Sequence, residues 1–112
     1  MDSLSERELD KLFKKRVIFL HGEITNEMVA QISVQLFSLM YENQEKPITL
    51  MINSEGGDIT QAFGIHDLLV TSTCPIYTIG LGEVASSAVI LLAAGKRGKR
   101  FIYPSTEVML HE

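Results

Sequence analysis

The sequence predicts an α/β fold built from repeated β-α-β units with right-handed crossovers. Three observations carry this. Short β-prone runs recur along the chain: VIFL at 17 to 20, ITLMI at 48 to 52 and IYTI at 76 to 79. Each is followed by a turn containing glycine, and a segment of helical periodicity leads on from each turn. The order strand, helix, strand, helix, strand, helix implies parallel strands joined by right-handed crossovers, with helices covering the sheet.

The elements follow in chain order. Ser5 to Glu8 matches a capping box and opens a short helix with Leu9, Leu12 and Phe13 on one side. After VIFL and the HGE turn, a long periodic segment begins near Thr25, with Val29, Ile32, Leu36 and Leu39 at helical spacing. ITLMI leads through NSEGGD into a second helix from Ile59 to Val70, with Ile59, Phe63 and His66 along one side. IYTI leads through LGE to a third helix, read as starting at Ala85 and running to Ala94. That helix is apolar on most of its circumference, which marks it as buried. Gly95 reads as its stop, and FIY at 101 to 103 and EVML at 107 to 110 add two short strands around Pro104. At 112 residues, 46% hydrophobic, the chain can build one core and is too short for two ordinary domains. The division expected is an amino-terminal segment, 1–15, and one head domain, 16–112.

Charge and composition narrow the function. A net charge of −4 and a pI near 5.3 give no long-range attraction for phosphate backbones. The run Lys96, Arg97, Lys99, Arg100 is broken by Gly98 and lacks a stacking aromatic, so it reads as a solvated turn and no nucleic-acid partner is expected. Cys74 stands alone, which excludes an intrachain disulfide or a cysteine-based zinc site and suits a reducing compartment. It reads as a small core residue. The longest apolar stretch, Ala88 to Ala94, falls far short of the ~18 residues a bilayer span needs. The amino terminus is too charged for a secretory signal. A soluble, intracellular protein without membrane contact, metal or cofactor is the expectation.

In open α/β sheets, ligands gather at the carboxyl ends of the strands. Two such ends stand out. Asn53-Ser54-Glu55-Gly56-Gly57 pairs two glycines that let the backbone approach a ligand and aim amides at developing negative charge. Val84-Ala85-Ser86-Ser87-Ala88 puts two hydroxyls at a strand-to-helix turn, the logic of a nucleophile elbow. A double glycine is also an ordinary turn, and either serine could simply cap its helix; pattern leaves both readings open. A nucleophilic serine needs a base. His21 lies in a turn, His66 reads as a core or interface histidine, and His111, at the end of EVML, is the best placed on geometric grounds.

Taken together, RVIFLHGEI at 16 to 24, ITLMINSEGGDIT at 48 to 60, GEVASSAVILLAAGKRGKRF at 82 to 101 and YPSTEVMLHE at 103 to 112 resemble the proteolytic subunit family of the Clp protease. The blocks match in order from Arg16 onward, and the 25 residues separating Ser86 from His111 fit that family. The resemblance implies a Clp-protease-like, crotonase-like fold and a serine endopeptidase that cleaves unfolded polypeptides through an acyl-enzyme. It implies Ser86 as nucleophile, His111 as general base, and the backbone N–H groups of Gly57 and Ser87 as oxyanion hole. It further implies self-association into heptameric rings, an AAA+ unfoldase partner of the Clp type, and a cytoplasmic setting or an organellar matrix or stroma. No cofactor is implied, and no phosphate-cradling GxxxxGK[ST] motif occurs, so ATP hydrolysis would belong to the partner.

Some residues depart from the family pattern. Glu55 stands where the family has proline, and Ser87-Ala88 replaces methionine and glycine. None of Asp2, Asp10, Asp58 or Asp67 matches the third member of the triad, whose loss can cost on the order of ten-thousand-fold in turnover. The chain is therefore expected to be the amino-terminal part of a subunit, lacking the handle and the triad acid, and to be weakly active and poorly assembled alone. Two rivals stand beside the peptidase: a catalytically silent ring subunit of the same family, and an acyl-CoA-binding relative sharing the fold.

Overall fold

A computed structural model of the chain describes residues 3–110, with side chains from residue 6. His111 and the Ser5 side chain of the expected capping box lie outside this description. The elements are α1 (Ser3–Lys14), β1 (Val17–His21), α2 (Asn26–Glu42), β2 (Ile48–Ser54), α3 (Ile59–Thr71), β3 (Ile76–Ala85), α4 (Ala88–Ala93), β4 (Arg100–Ile102) and β5 (Glu107–Met109). Helix α1 starts two residues before the capping-box serine, so that serine is inside the helix and not its cap.

Among the described residues five strands form one sheet in the order β1-β2-β3-β4, with β5 also on β3. Every pairing is parallel. Side chains alternate across a strand, and the alternation here is strict: Ile18 and Leu20, Ile48, Leu50 and Ile52, and Ile76 and Thr78 are at most 3% exposed, while the residues between them are half-buried. The buried face joins Val29, Ile32, Leu36 and Leu39 of α2, Ala62, Ile65 and Leu69 of α3, and Ala88 and Leu91 of α4 in one core. A consecutive parallel order with its crossover helices on a common face is what right-handed crossovers produce. Thr25 caps α2 by accepting the Met28 N–H at 3.1 Å, as the periodicity requires.

One expectation is narrowed and another needs correction. The Ile59, Phe63, His66 side of α3 lies away from the core, with Ile59 and Phe63 56% and 46% exposed and His66 half-buried beside Asp67, so of the two readings of His66 the core one fails. Ala62, Ile65 and Leu69 supply the side of α3 that joins the core beside α2 and α4, and the Ile59 and Phe63 stripe is left outside. The third helix does not begin at Ala85. Strand β3 continues to Ala85 because β5 adds a second ladder, Glu83 to Ala85 against Glu107 to Met109. Helix α4 then starts at Ala88, and its Ala93 is exposed.

One buried cation organises the opposite end of the fold. Arg16, only 8% exposed, has φ 64° and turns the chain from α1 into β1. Its guanidinium donates to the carbonyls of Leu39, Asn43, Lys46 and Pro47 at 2.9–3.1 Å, and to Glu42 and the buried Cys74 sulfur. It thus ties together carbonyls at the end of α2 and in the turn beyond, two of which, Leu39 and Asn43, also accept the Asn43 N–H and the Cys74 thiol. Glu42 is largely exposed, so the carbonyls matter more than the ion pair. Arg16→Met, similar in reach but without donors, is expected to lower unfolding stability by about 3 kcal/mol. The midpoint of a urea titration measures it, and a shift below about 1 kcal/mol would mean that water replaces the guanidinium.

Candidate functional site

The site is built where β2 and β3 end. Between Ile52 and Ser54 on β2, and Gly80 and Val84 on β3, the register shifts, so β3 carries a bulge through Leu81 to Glu83. The Asn53 side chain fills it. Its Oδ1 accepts the Glu83 N–H at 3.2 Å, and its amide packs where a side chain at Gly82 would stand. Ser54, fully buried, donates its hydroxyl to the Gly22 carbonyl at 2.6 Å and accepts the Gly56 N–H at 3.0 Å. Asn53 thus braces the β3 bulge, and Ser54 holds the start of the glycine turn.

Beyond the bulge β3 delivers Ser86, a half-buried residue with φ 57°. This left-handed conformation costs a non-glycine residue about 1–2 kcal/mol. Its N–H donates to the Met109 carbonyl at 2.8 Å, extending the β3–β5 ladder by one bond, and its carbonyl accepts the Val89 N–H as α4 begins. Ser86 is thus the hinge of a strained strand-to-helix turn, as a nucleophile elbow requires. Its hydroxyl has no partner among the described residues. Ala85 and Ala88 beside it are buried at 2% and 0%, so their small size serves the packing under the elbow.

The two turns are in contact. Gly56 (φ 93°) lies against the elbow so closely that a Cβ there would stand 2.7 Å from the Ala85 carbonyl oxygen and 2.8 Å from the Ser86 Cβ. Gly57 is exposed and bridges to Ile24: the Ile24 N–H donates to the Gly56 carbonyl at 2.9 Å, and Asp58 N–H returns to the Ile24 carbonyl at 3.0 Å. Ser87 occupies the N-cap position of α4 but makes no capping hydrogen bond. Its hydroxyl is spent on Gly57, accepting the N–H at 3.1 Å and approaching the carbonyl at 3.3 Å. Of the two expected oxyanion donors, Ser87 N–H has no acceptor among the described residues, whereas Gly57 N–H is already engaged.

His21 ends β1, exposed and stacked on Phe19, two strands away from β3 and so roughly 10 Å off in the sheet. His66 sits on the outer side of α3 against Phe63 and Asp67. His111 lies outside the described residues, two positions beyond Met109, whose carbonyl holds the Ser86 N–H. Sequence reasoning missed the supporting roles of Asn53, Ser54 and Arg16. A glycine inside a strand pattern, Gly82, is the one signal that could have pointed to the bulge.

The fold and this pair of turns define a parallel α/β protein in which one serine elbow faces one double-glycine turn. The chain belongs to the Clp protease family, which it matches over residues 2–112. It is 40% identical over 103 residues to the ATP-dependent Clp protease proteolytic subunit 1 of Rhodopirellula baltica, covering 92% of this chain and 45% of that protein. It is 36% identical over 110 residues to the subunit of the same name from Mycobacterium tuberculosis, covering 98% of this chain and 55% of that one. The crystal structure of the ClpP protease catalytic domain from Plasmodium falciparum matches with TM-score 0.94 and 35% identity, over 100% of this chain and 62% of that chain. The chain spans about half the length of these curated relatives.

Proposed function

We propose that the chain forms the nucleophile-bearing part of a serine endopeptidase subunit of an ATP-dependent Clp-type protease. Ser86 attacks the scissile carbonyl of an unfolded polypeptide, His111 takes its proton, and the backbone N–H groups of Gly57 and Ser87 receive the oxyanion. The observation that carries this reading is Ser86 itself: a serine held at φ 57° between β3 and α4, packed against Gly56. Evolution tolerates such strain chiefly where a side chain must be aimed. Subunits would assemble into heptameric rings, receive substrate from an AAA+ unfoldase and work in the cytoplasm.

The experiment is degradation of an unfolded, tagged protein by the subunit with a Clp-type unfoldase, with and without ATP. Degradation is expected only when both partners and ATP are present, and ATP-independent or absent degradation argues against the assignment. One observation favours a second reading, a catalytically silent ring subunit: the Gly57 N–H is occupied by Ser87. Covalent labelling of Ser86 by a fluorophosphonate supports the peptidase, and a ring that never labels supports the silent subunit.

A further inference from the structure

We propose that the Ser87 hydroxyl is a resting occupant of the oxyanion hole, which the developing oxyanion must displace as Ser86 reacts. The inference rests on the reading of Ser86 as nucleophile. Three facts support it. Ser87 is the N-cap residue of α4 yet its hydroxyl caps nothing, and its φ and ψ of −62° and −18° are helical, not the extended values of a capping residue. The hydroxyl instead takes the Gly57 N–H at 3.1 Å and lies 3.3 Å from the Gly57 carbonyl. The neighbouring Ser87 N–H, on a residue only 4% exposed, has no acceptor among the described residues, so one donor of the pair is unpaired and the other filled.

The turns leave Gly57 little freedom to release this contact by moving. Ile24, 1% exposed, holds it through the Ile24–Gly56 and Asp58–Ile24 hydrogen bonds, and Gly56 is wedged against Ala85 and Ser86. The hydroxyl is the movable member, because it swings about one side-chain torsion. In the reaction the Ser86 oxygen bonds to the carbonyl carbon, the carbonyl π pair moves onto its oxygen, and the Ser86 proton goes to the base. The new oxyanion replaces the Ser87 hydroxyl on the Gly57 N–H. A charged acceptor outcompetes a neutral one there, so the occupant leaves when charge develops and returns when the site empties. It weakens ground-state attack and keeps a pocket without substrate closed.

Ser87→Ala removes the occupant and leaves both backbone donors in place. One net hydrogen bond no longer has to be broken, so Ser86 should label with a fluorophosphonate roughly 2- to 10-fold faster. An equal or slower rate would overturn the proposal and make the hydroxyl a support of the site. A Ser86→Ala control separates the two levels: labelling that survives there defeats the nucleophile reading, whatever Ser87 does. Amide hydrogen exchange at Gly57, followed by NMR on the unlabelled protein, reads the contact without any chemistry. Ser87→Ala should speed exchange at Gly57 while leaving Asp58, bonded to Ile24, protected. Unchanged Gly57 protection would also sink the idea.

Discussion

Ser86→Ala is expected to abolish peptide hydrolysis and covalent labelling while the fold persists. The loss should be large, on the order of 10⁶-fold in kcat where a serine nucleophile acts with a full set of partners. Persistence of the fold follows from local geometry. Alanine keeps the Cβ, so the φ of 57° is no more strained than in the parent chain, and the N–H to Met109 and carbonyl to Val89 bonds are both backbone bonds. The hydroxyl removed has no partner among the described residues, so the melting free energy should change by about 1 kcal/mol or less. A fluorogenic peptide assay and a thermal melt on the same preparation check this. Residual hydrolysis within tenfold of the parent would mean that another group carries the attack.

Much of the fold is legible because local chemistry decides it. The α2 helix declares itself through the Thr25 cap and the spacing of Val29, Ile32, Leu36 and Leu39, all buried as periodicity demands. The strands are legible because Ile, Leu and Val runs bounded by glycine turns have few other uses. What sequence could not reveal depends on distant partners. Strand β3 runs to Ala85 because Glu107 to Met109 pair with it, and a helix-like run of small and apolar residues contains no trace of that pairing. The stripe of Ile59 and Phe63 on α3 has the right period but points outward, since period gives the width of an apolar face and not which neighbour it meets. Arg16 looks like one more charge after Lys14 and Lys15, yet its carbonyl acceptors lie between Leu39 and Pro47.

The site divides in the same way. Turn chemistry and the resemblance together single out Ser86 and the double glycine as candidates, and those two turns are in contact. The hydroxyl of Ser87 could not be read correctly, because its partner is 30 residues earlier and capping is the local default. The reason Gly57 must be glycine also changes. The sequence suggests room for a substrate strand, whereas the structure shows Ile24 in the way.

Gly57→Val is the second substitution expected to act strongly, and it should damage both the fold and the chemistry. A Cβ at Gly57 would stand 2.9 Å from the Ile24 nitrogen and 3.1 Å from its carbonyl carbon, with the Ile24 carbonyl oxygen nearer still. All three are backbone atoms of a buried residue, so no side-chain rotation can relieve the contact. Either Ile24 moves, breaking its bonds to Gly56 and Asp58, or the Gly57 peptide rotates and its N–H leaves the oxyanion position. The first outcome destabilises the chain by about 2–3 kcal/mol; the second costs roughly 10²- to 10³-fold in kcat, the usual consequence of losing one oxyanion donor. Gly64 provides the matched control. It lies within α3, a Cβ there meets nothing within 4 Å, and Gly64→Ala should stabilise the chain by about 0.5–1 kcal/mol through helix propensity alone. Urea midpoints and single-turnover acylation rates for the two variants distinguish the cases. A Gly57→Val chain that melts normally and acylates at the parent rate would show that Ile24 yields at little cost and that Gly57 contributes no donor.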